Sequence, residues 1–195
     1  MSAVVQGITL AQYHAREMAS QQKHEYFRGE VFAMVGGSPR HSLIATNFCG
    51  EARQQLKGKP CVPYNSDLRI KIEATGLFTY TDASIVCGPL LCDPELSSTV
   101  LNPSVIVEVL SESTEKYDRG RKASHYRQIL SLKDLILISQ EEVSVERYTR
   151  QSDGNWLFVE YRTLDQYLEL ESVGVVIPLA EIYRNIVFDS NAGPK

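Results

Sequence analysis

Ser104-Val105-Ile106-Val107-Glu108-Val109-Leu110 is the stretch on which the reading of this chain turns. A short β-branched apolar run of this kind forms a strand covered on both faces. Glu108 breaks the pattern. A carboxylate inside such a strand costs several kcal/mol unless it is paired or coordinates a cation, so Glu108 needs a partner.

Downstream, the spacing predicts a helix from Asp118 to Leu130. Further strands follow at Leu135–Ser139, Val143–Arg150 and Trp156–Tyr161, separated by Glu141-Glu142 and Asp153-Gly154-Asn155. Upstream, residues 60–86 change to period two: Leu68, Ile70 and Ile72 alternate with Asp67, Arg69 and Lys71. That predicts two strands forming a hairpin, with a turn near Ala74-Thr75-Gly76. The Pro-containing segment Cys87–Pro103 reads as a loop. Ser38 caps a long helix from Pro39 to Lys57, His24–Met34 forms a hairpin around Gly29, and Thr9 opens a short helix ending at Ala19. The expected architecture is α+β, a mixed central β-sheet flanked by helices with an N-terminal helix and hairpin. With no internal repeat or linker, residues 1–195 read as one domain.

The composition narrows the function. With 195 residues, 20 Lys+Arg against 24 Asp+Glu and a net charge of −4, the global field repels nucleic acid, so any anion site has to be local. No apolar run approaches the about 18 residues that a membrane span requires. The first ten residues lack a basic leader region, so the expected location is cytoplasmic. The four cysteines form no C-x-x-C pair and the four histidines lack zinc-ligand spacing; Cys49 and Cys87 read as small buried hydrophobes.

Asp82, between Tyr80 and Ile85, repeats the anomaly of Glu108 in a second β-rich stretch. Two acids on neighbouring strands can share a hard cation. Oxygen ligands suit Mg2+, with Mn2+ as a substitute, the remaining coordination coming from water and a phosphate. That is the chemistry of phosphodiester cleavage. Residues 115–133 carry six basic side chains against two acidic ones, enough to hold phosphate locally. Asp118 is placed to cap this helix, and Lys122, one turn inside, can point back to the strand end that carries Glu108 and stabilise charge developing on the phosphorus centre. Arg119, Arg121 and Arg127 are the candidates for the DNA backbone.

Taken together, Tyr26-x-x-Gly29-Glu30, Met34, His41, Ser66-Asp67-Leu68-Arg69, Thr81-Asp82, Val107-Glu108-Val109-Leu110-Ser111-x-Ser113-Thr114, Asp118-Arg119-x-x-Lys122 and Tyr126 resemble the Uma-type restriction endonuclease family, assigned to the PD-(D/E)xK nuclease superfamily. The resemblance spans about residues 10–182 and implies a restriction-endonuclease-like core. It implies that Asp82 and Glu108 are metal ligands, joined by the Val109 backbone carbonyl. The superfamily's strand lysine is replaced here by Leu110, and Lys122 is the substitute. Thr81 stands where the family has proline.

Glu30, His41 and Asp67 are further candidates for the metal site. Their plainer roles are a turn residue, a helix-start histidine and a cross-strand ion pair. Tyr26, Tyr117 and Tyr126 are candidates for stacking on a base or for core packing. The resulting expectation is a Mg2+-dependent DNA endonuclease, acting as a homodimer where both strands are cut. The alternative is a non-catalytic nucleic-acid or protein interaction module on the same fold.

Overall fold

The strand Val105–Leu110 runs through the interior with every residue buried. The computed structural model describes residues 4–188; residues 1–3 and 189–195 of the expected 1–195 domain lie outside them. In chain order the elements begin with β1 (Val5–Gln6), α1 (Leu10–Ala19), β2 (His24–Phe27), β3 (Glu30–Ala33) and α2 (Pro39–Gln55). Next come β4 (Cys61–Asn65), β5 (Arg69–Ile72), β6 (Leu77–Tyr80), β7 (Ala83–Cys87), β8 (Thr99–Val100) and β9 (Val105–Leu110). After β9 a short helix α3 (Glu115–Tyr117), a π-turn (Asp118–Lys122) and α4 (Ala123–Tyr126) form one helical segment. The chain then forms β10 (Asp134–Ser139), β11 (Val145–Arg150), β12 (Trp156–Tyr161), β13 (Tyr167–Leu170), β14 (Val175–Pro178) and α5 (Leu179–Ile182).

The architecture is α+β with mixed sheets, as expected, but the strands divide between two six-stranded sheets and a β13–β14 hairpin among the described residues. The order in one sheet is β1-β3-β2-β6-β5-β8, and in the other β12-β11-β10-β9-β7-β4. Residues 60–86, expected to form one hairpin, instead hold four strands shared between the two sheets. β5 and β6 do pair through the turn before Leu77. After Tyr80, however, the chain leaves the first sheet, and β7 enters the second between β4 and β9. Period-two alternation is a local signal and does not tell which sheet a strand joins.

The two faces of β9 serve different cores. Val105, Val107 and Val109 pack with Ile44, Phe48 and Ala52 of α2 and with the β13–β14 hairpin. Ile106 and Leu110 pack on the other face with Ala123, Tyr126, Ile70 and Leu77. Alternation puts Glu108 on this second face, toward the helical segment that carries Lys122.

Several local predictions match the structure. Thr9 caps α1 by accepting from the Gln12 amide, and Ser38 caps α2 by accepting from the His41 amide, with Pro39 in the first helical position. Arg28 and Gly29 both adopt positive φ in the β2–β3 turn, the conformation a two-residue hairpin demands. The helix expected over 118–130 begins earlier and is broken by the π-turn, so Asp118 lies within it and is not its cap. Cys87 is not a free buried thiol: it forms a disulfide with Cys61, its register partner in the antiparallel β4–β7 pair, with Cα atoms 3.9 Å apart. No helix among the described residues is long and apolar enough to cross a membrane.

Candidate active site

Three segments distant in sequence meet at one cleft of about 1450 Å3. Asp82 comes from the two-residue break between β6 and β7, where the chain changes sheets. Its amide donates to the Val107 carbonyl, and its Oδ2 accepts from the Val109 amide at 2.7 Å. These bonds tie Asp82 to the part of β9 that carries Glu108.

Glu108 is 3% exposed and Lys122 equally so. Lys122 Nζ lies 2.9 Å from Glu108 Oε1. The rest of its surroundings is also oxygen: the Tyr80 carbonyl at 3.3 Å, Glu25 Oε1 at 3.6 Å and Asp118 Oδ1 at 3.7 Å. Burial alone would lower the Lys122 pKa, but Glu108, Tyr126, Glu25 and Asp118 outweigh it and hold the ammonium well above its ordinary value. Burial pushes the Glu108 carboxyl up, reinforced by Asp82 and Asp118 and opposed by Lys122. Tyr126 is buried and donates to Glu108 Oε1 at 2.5 Å. The π-turn between Asp118 and Lys122 turns both side chains inward, a local device often met at functional sites.

His41, in the first turn of α2, reaches Asp82 Oδ2 through Nε2 at 3.1 Å and shares the Val109 backbone. Burial lowers its pKa, but Asp82 and Val109 more than compensate and the net shift is upward. Gly37 makes this approach possible. A Cβ there would lie 2.4 Å from His41 Nδ1.

Of the other candidates, Asp67 is exposed and does not line the cleft; it is held by Lys23 at 2.8 Å and by Asn65. Glu30 pairs with Phe27 and Gln6 in the N-terminal sheet and does not line the cleft. Arg119 is committed to Glu115 at 2.7 Å and to Glu146. Arg121 is exposed, and the Arg127 carbonyl accepts from Arg150. Tyr26 stacks on Tyr13 at 5.0 Å in a core contact.

Sequence reasoning missed Glu25. It is 1% exposed, accepts from Thr79 Oγ1 at 2.5 Å and Tyr117 Oη at 2.8 Å, and faces Lys122. An acid in the alternating β2 strand was the available signal, but alternation alone leaves open which face is buried. Thr81, in the family's proline position, is buried beside Asp82, and its hydroxyl has no hydrogen-bond partner among the described residues.

The family model Uma2, described as "Putative restriction endonuclease", matches residues 10–180. The chain belongs to this family. Two Synechocystis proteins are similar to this Uma2 chain. The uncharacterized protein slr1290 is 38% identical over 177 residues, covering 91% of this chain and 92% of that protein. The uncharacterized protein sll1609 is 29% identical over 153 residues, covering 78% and 86%. Among solved structures, a "putative nuclease belonging to DUF820" from Anabaena variabilis superposes with a TM-score of 0.72 at 15% identity, covering 91% of this chain and 98% of that one. That likeness establishes a shared fold.

Among the described residues no group of three His, Cys, Asp or Glu side chains is arranged to hold a metal ion. Asp82, Glu108 and Val109 all line the cleft. One or two carboxylates are what Mg2+ ordinarily takes from a protein. Asp82 Oδ2 already lies 3.1 Å from His41 Nε2, and the Val109 backbone adds to the upward shift of that imidazole.

Proposed function

We propose that this Uma2 protein hydrolyses DNA phosphodiester bonds with a divalent ion, by chemistry of the PD-(D/E)xK type. The observation that carries this reading is the buried 2.9 Å contact between Lys122 and Glu108. It restores from the helical segment the cation that Leu110 does not supply from the strand. Asp82, Glu108 and the Val109 carbonyl would hold Mg2+, or Mn2+ in its place. When bound, the ion supplies Lewis acidity at the scissile phosphate.

The remaining work falls to the chain's own groups. Lys122 Nζ is a fixed positive charge in a site with little water, where such a charge counts for more than in bulk solvent. Glu25, Asp118 and the Tyr80 carbonyl orient it, and Tyr126 steadies Glu108. His41 holds the Asp82 carboxylate when no metal is present. A single site of this kind cuts one strand, so cleavage of both strands calls for two copies, and a homodimer is part of the proposal.

Plasmid nicking in Mn2+ tests the reading. Lys122→Ala should lower the rate at saturating DNA by about 10²–10³, the usual cost of losing one preorganised group that stabilises the transition state. Asp82→Asn should abolish nicking. A loss in Lys122→Ala that appears only as weaker binding and disappears at low salt would make Lys122 a phosphate contact and favour a non-catalytic module. Absence of nicking by the wild-type protein on every DNA tried would do the same.

A further inference from the structure

A second cavity, of about 160 Å3, lies among β2, β3, the start of β6 and the helical segment after β9. Glu25 lines both spaces. The two are also joined through neighbouring residues. Lys122 turns into the cleft while Arg121, the residue before it, lines the second cavity. On β2, Glu25 faces Lys122, and Phe27, two residues on, supplies the cavity's aromatic wall. Two steps along a strand amount to about 7 Å.

The walls are chemically distinctive. Arg121 stands over the Phe27 ring at 5.0 Å, and the His125 ring meets Phe27 edge-on at 5.0 Å; Arg28, outside the cavity, also approaches the Phe27 ring at 5.1 Å. Phe32, Leu77 and the Tyr117 ring complete the enclosure. The one acid, Glu25, already accepts from Thr79 and Tyr117 and faces Lys122. His125 Nδ1 is buried with no hydrogen-bond partner among the described residues. Burial, with Arg121 nearby, lowers the His125 pKa, so the ring is neutral at pH 7 and can accept as well as donate.

An aromatic wall, the Arg121 guanidinium and an unused polar atom make a site for a planar, hydrogen-bonding ring attached to an anion. The volume matches about five waters at about 30 Å3 each, far below the about 300 Å3 at which drug-sized pockets begin, so the occupant is a single heterocycle. We infer that this cavity receives one unpaired nucleobase of the DNA whose phosphate lies in the cleft, and that the preferred substrate therefore carries an unpaired base beside the scissile bond. The inference rests on the nuclease reading. Bases out of the duplex stack on aromatic rings and on Arg planes in this way, and a base already unpaired avoids the unstacking cost that a paired one incurs.

The test uses fluorescence anisotropy in Ca2+ with two labelled duplexes of the same sequence, one fully paired and one carrying a single bulged 2-aminopurine. The wild-type protein should bind the bulged duplex about ten-fold more tightly, within the range that one stacked base contributes, and 2-aminopurine emission should change on binding. Phe27→Leu and, separately, the exposed Arg121→Ala should reduce the preference to about two-fold or less. Melting curves check that each variant is folded. Equal binding of the two duplexes by wild type, or a preference that survives Arg121→Ala in a folded protein, overturns the base pocket. If nicking persists with equal binding, only the pocket is lost. No binding to either duplex and no nicking removes the nuclease reading itself.

Discussion

Lys122 Nζ sits 2.9 Å from Glu108 Oε1, both side chains are almost fully buried, and Glu25 and Asp118 face the same ammonium from 3.6 and 3.7 Å. One cation is thus shared by three acids, so the consequence of a substitution depends on which member is removed. Glu108→Gln keeps an acceptor for Lys122 and Tyr126 and leaves two acids beside the ammonium; its expected cost is about 1–2 kcal/mol. Lys122→Met leaves three carboxylates buried around a vacated cation position and should cost about 3–5 kcal/mol. In the double variant the penalty should fall short of the sum by at least about 1 kcal/mol, as for residues in one network. Urea denaturation of the four proteins measures this, and additive costs would mean that the pair is not coupled.

Metal binding gives a second test. A ligand that binds only the folded chain raises the melting temperature by mass action, and a divalent ion would also relieve the repulsion between Asp82 and Glu108. Millimolar Mg2+ or Mn2+ should stabilise the wild type and have little effect on Asp82→Asn. An equal shift in the two proteins would place the ion elsewhere.

Gly37 should act through His41. A Cβ at residue 37 would overlap the imidazole, with 2.4 Å to Nδ1 and 2.7 Å to Cγ, so Gly37→Ala should drive the ring off Asp82. Its effect on Mn2+ affinity, measured by calorimetry, should match that of His41→Ala. Combining the two should add nothing further. Two independent, additive effects would show that the backbone, not the ring, gives way.

Asp93 anchors the Cys87–Pro103 segment, with Oδ2 at 2.5 Å from Lys71 Nζ and Oδ1 accepting from the Glu95 and Leu96 amides. Burial pushes its pKa up, but Lys71 and the two amides outweigh burial and hold it below the usual carboxylate range. A depressed folded-state pKa stabilises the fold above the unfolded value of about 3.9, and this contribution is lost as pH falls through the folded value. Asp93→Asn should therefore cost about 1–3 kcal/mol at pH 7 and progressively less in acid below about pH 3.9. A cost that does not change with pH would assign the effect to packing.

What the sequence determined by itself is what short-range physics controls. The apolar run of β9 with its single acid, the Ser38 and Pro39 start of α2 and the Arg28-Gly29 turn were legible because strand burial, helix capping and positive φ are set by residues within a few positions of each other. That Glu108 needs a partner, and that Lys122 can turn back to it, was legible because a charged group in an apolar strand stands out by itself. Tertiary structure alone decided the rest. Asp82 reaches β9 because the chain changes sheets after Tyr80, a choice that period-two alternation does not encode. Asp118 faces Lys122 and not the amides of a helix start because a π-turn replaces regular helix. Cys61 and Cys87 meet only because β4 and β7 pair in that register. Glu25 joins the site from a hairpin nearly a hundred residues before Lys122. Its role rests on proximity, and proximity between distant segments comes from how the two sheets pack, which no local pattern records.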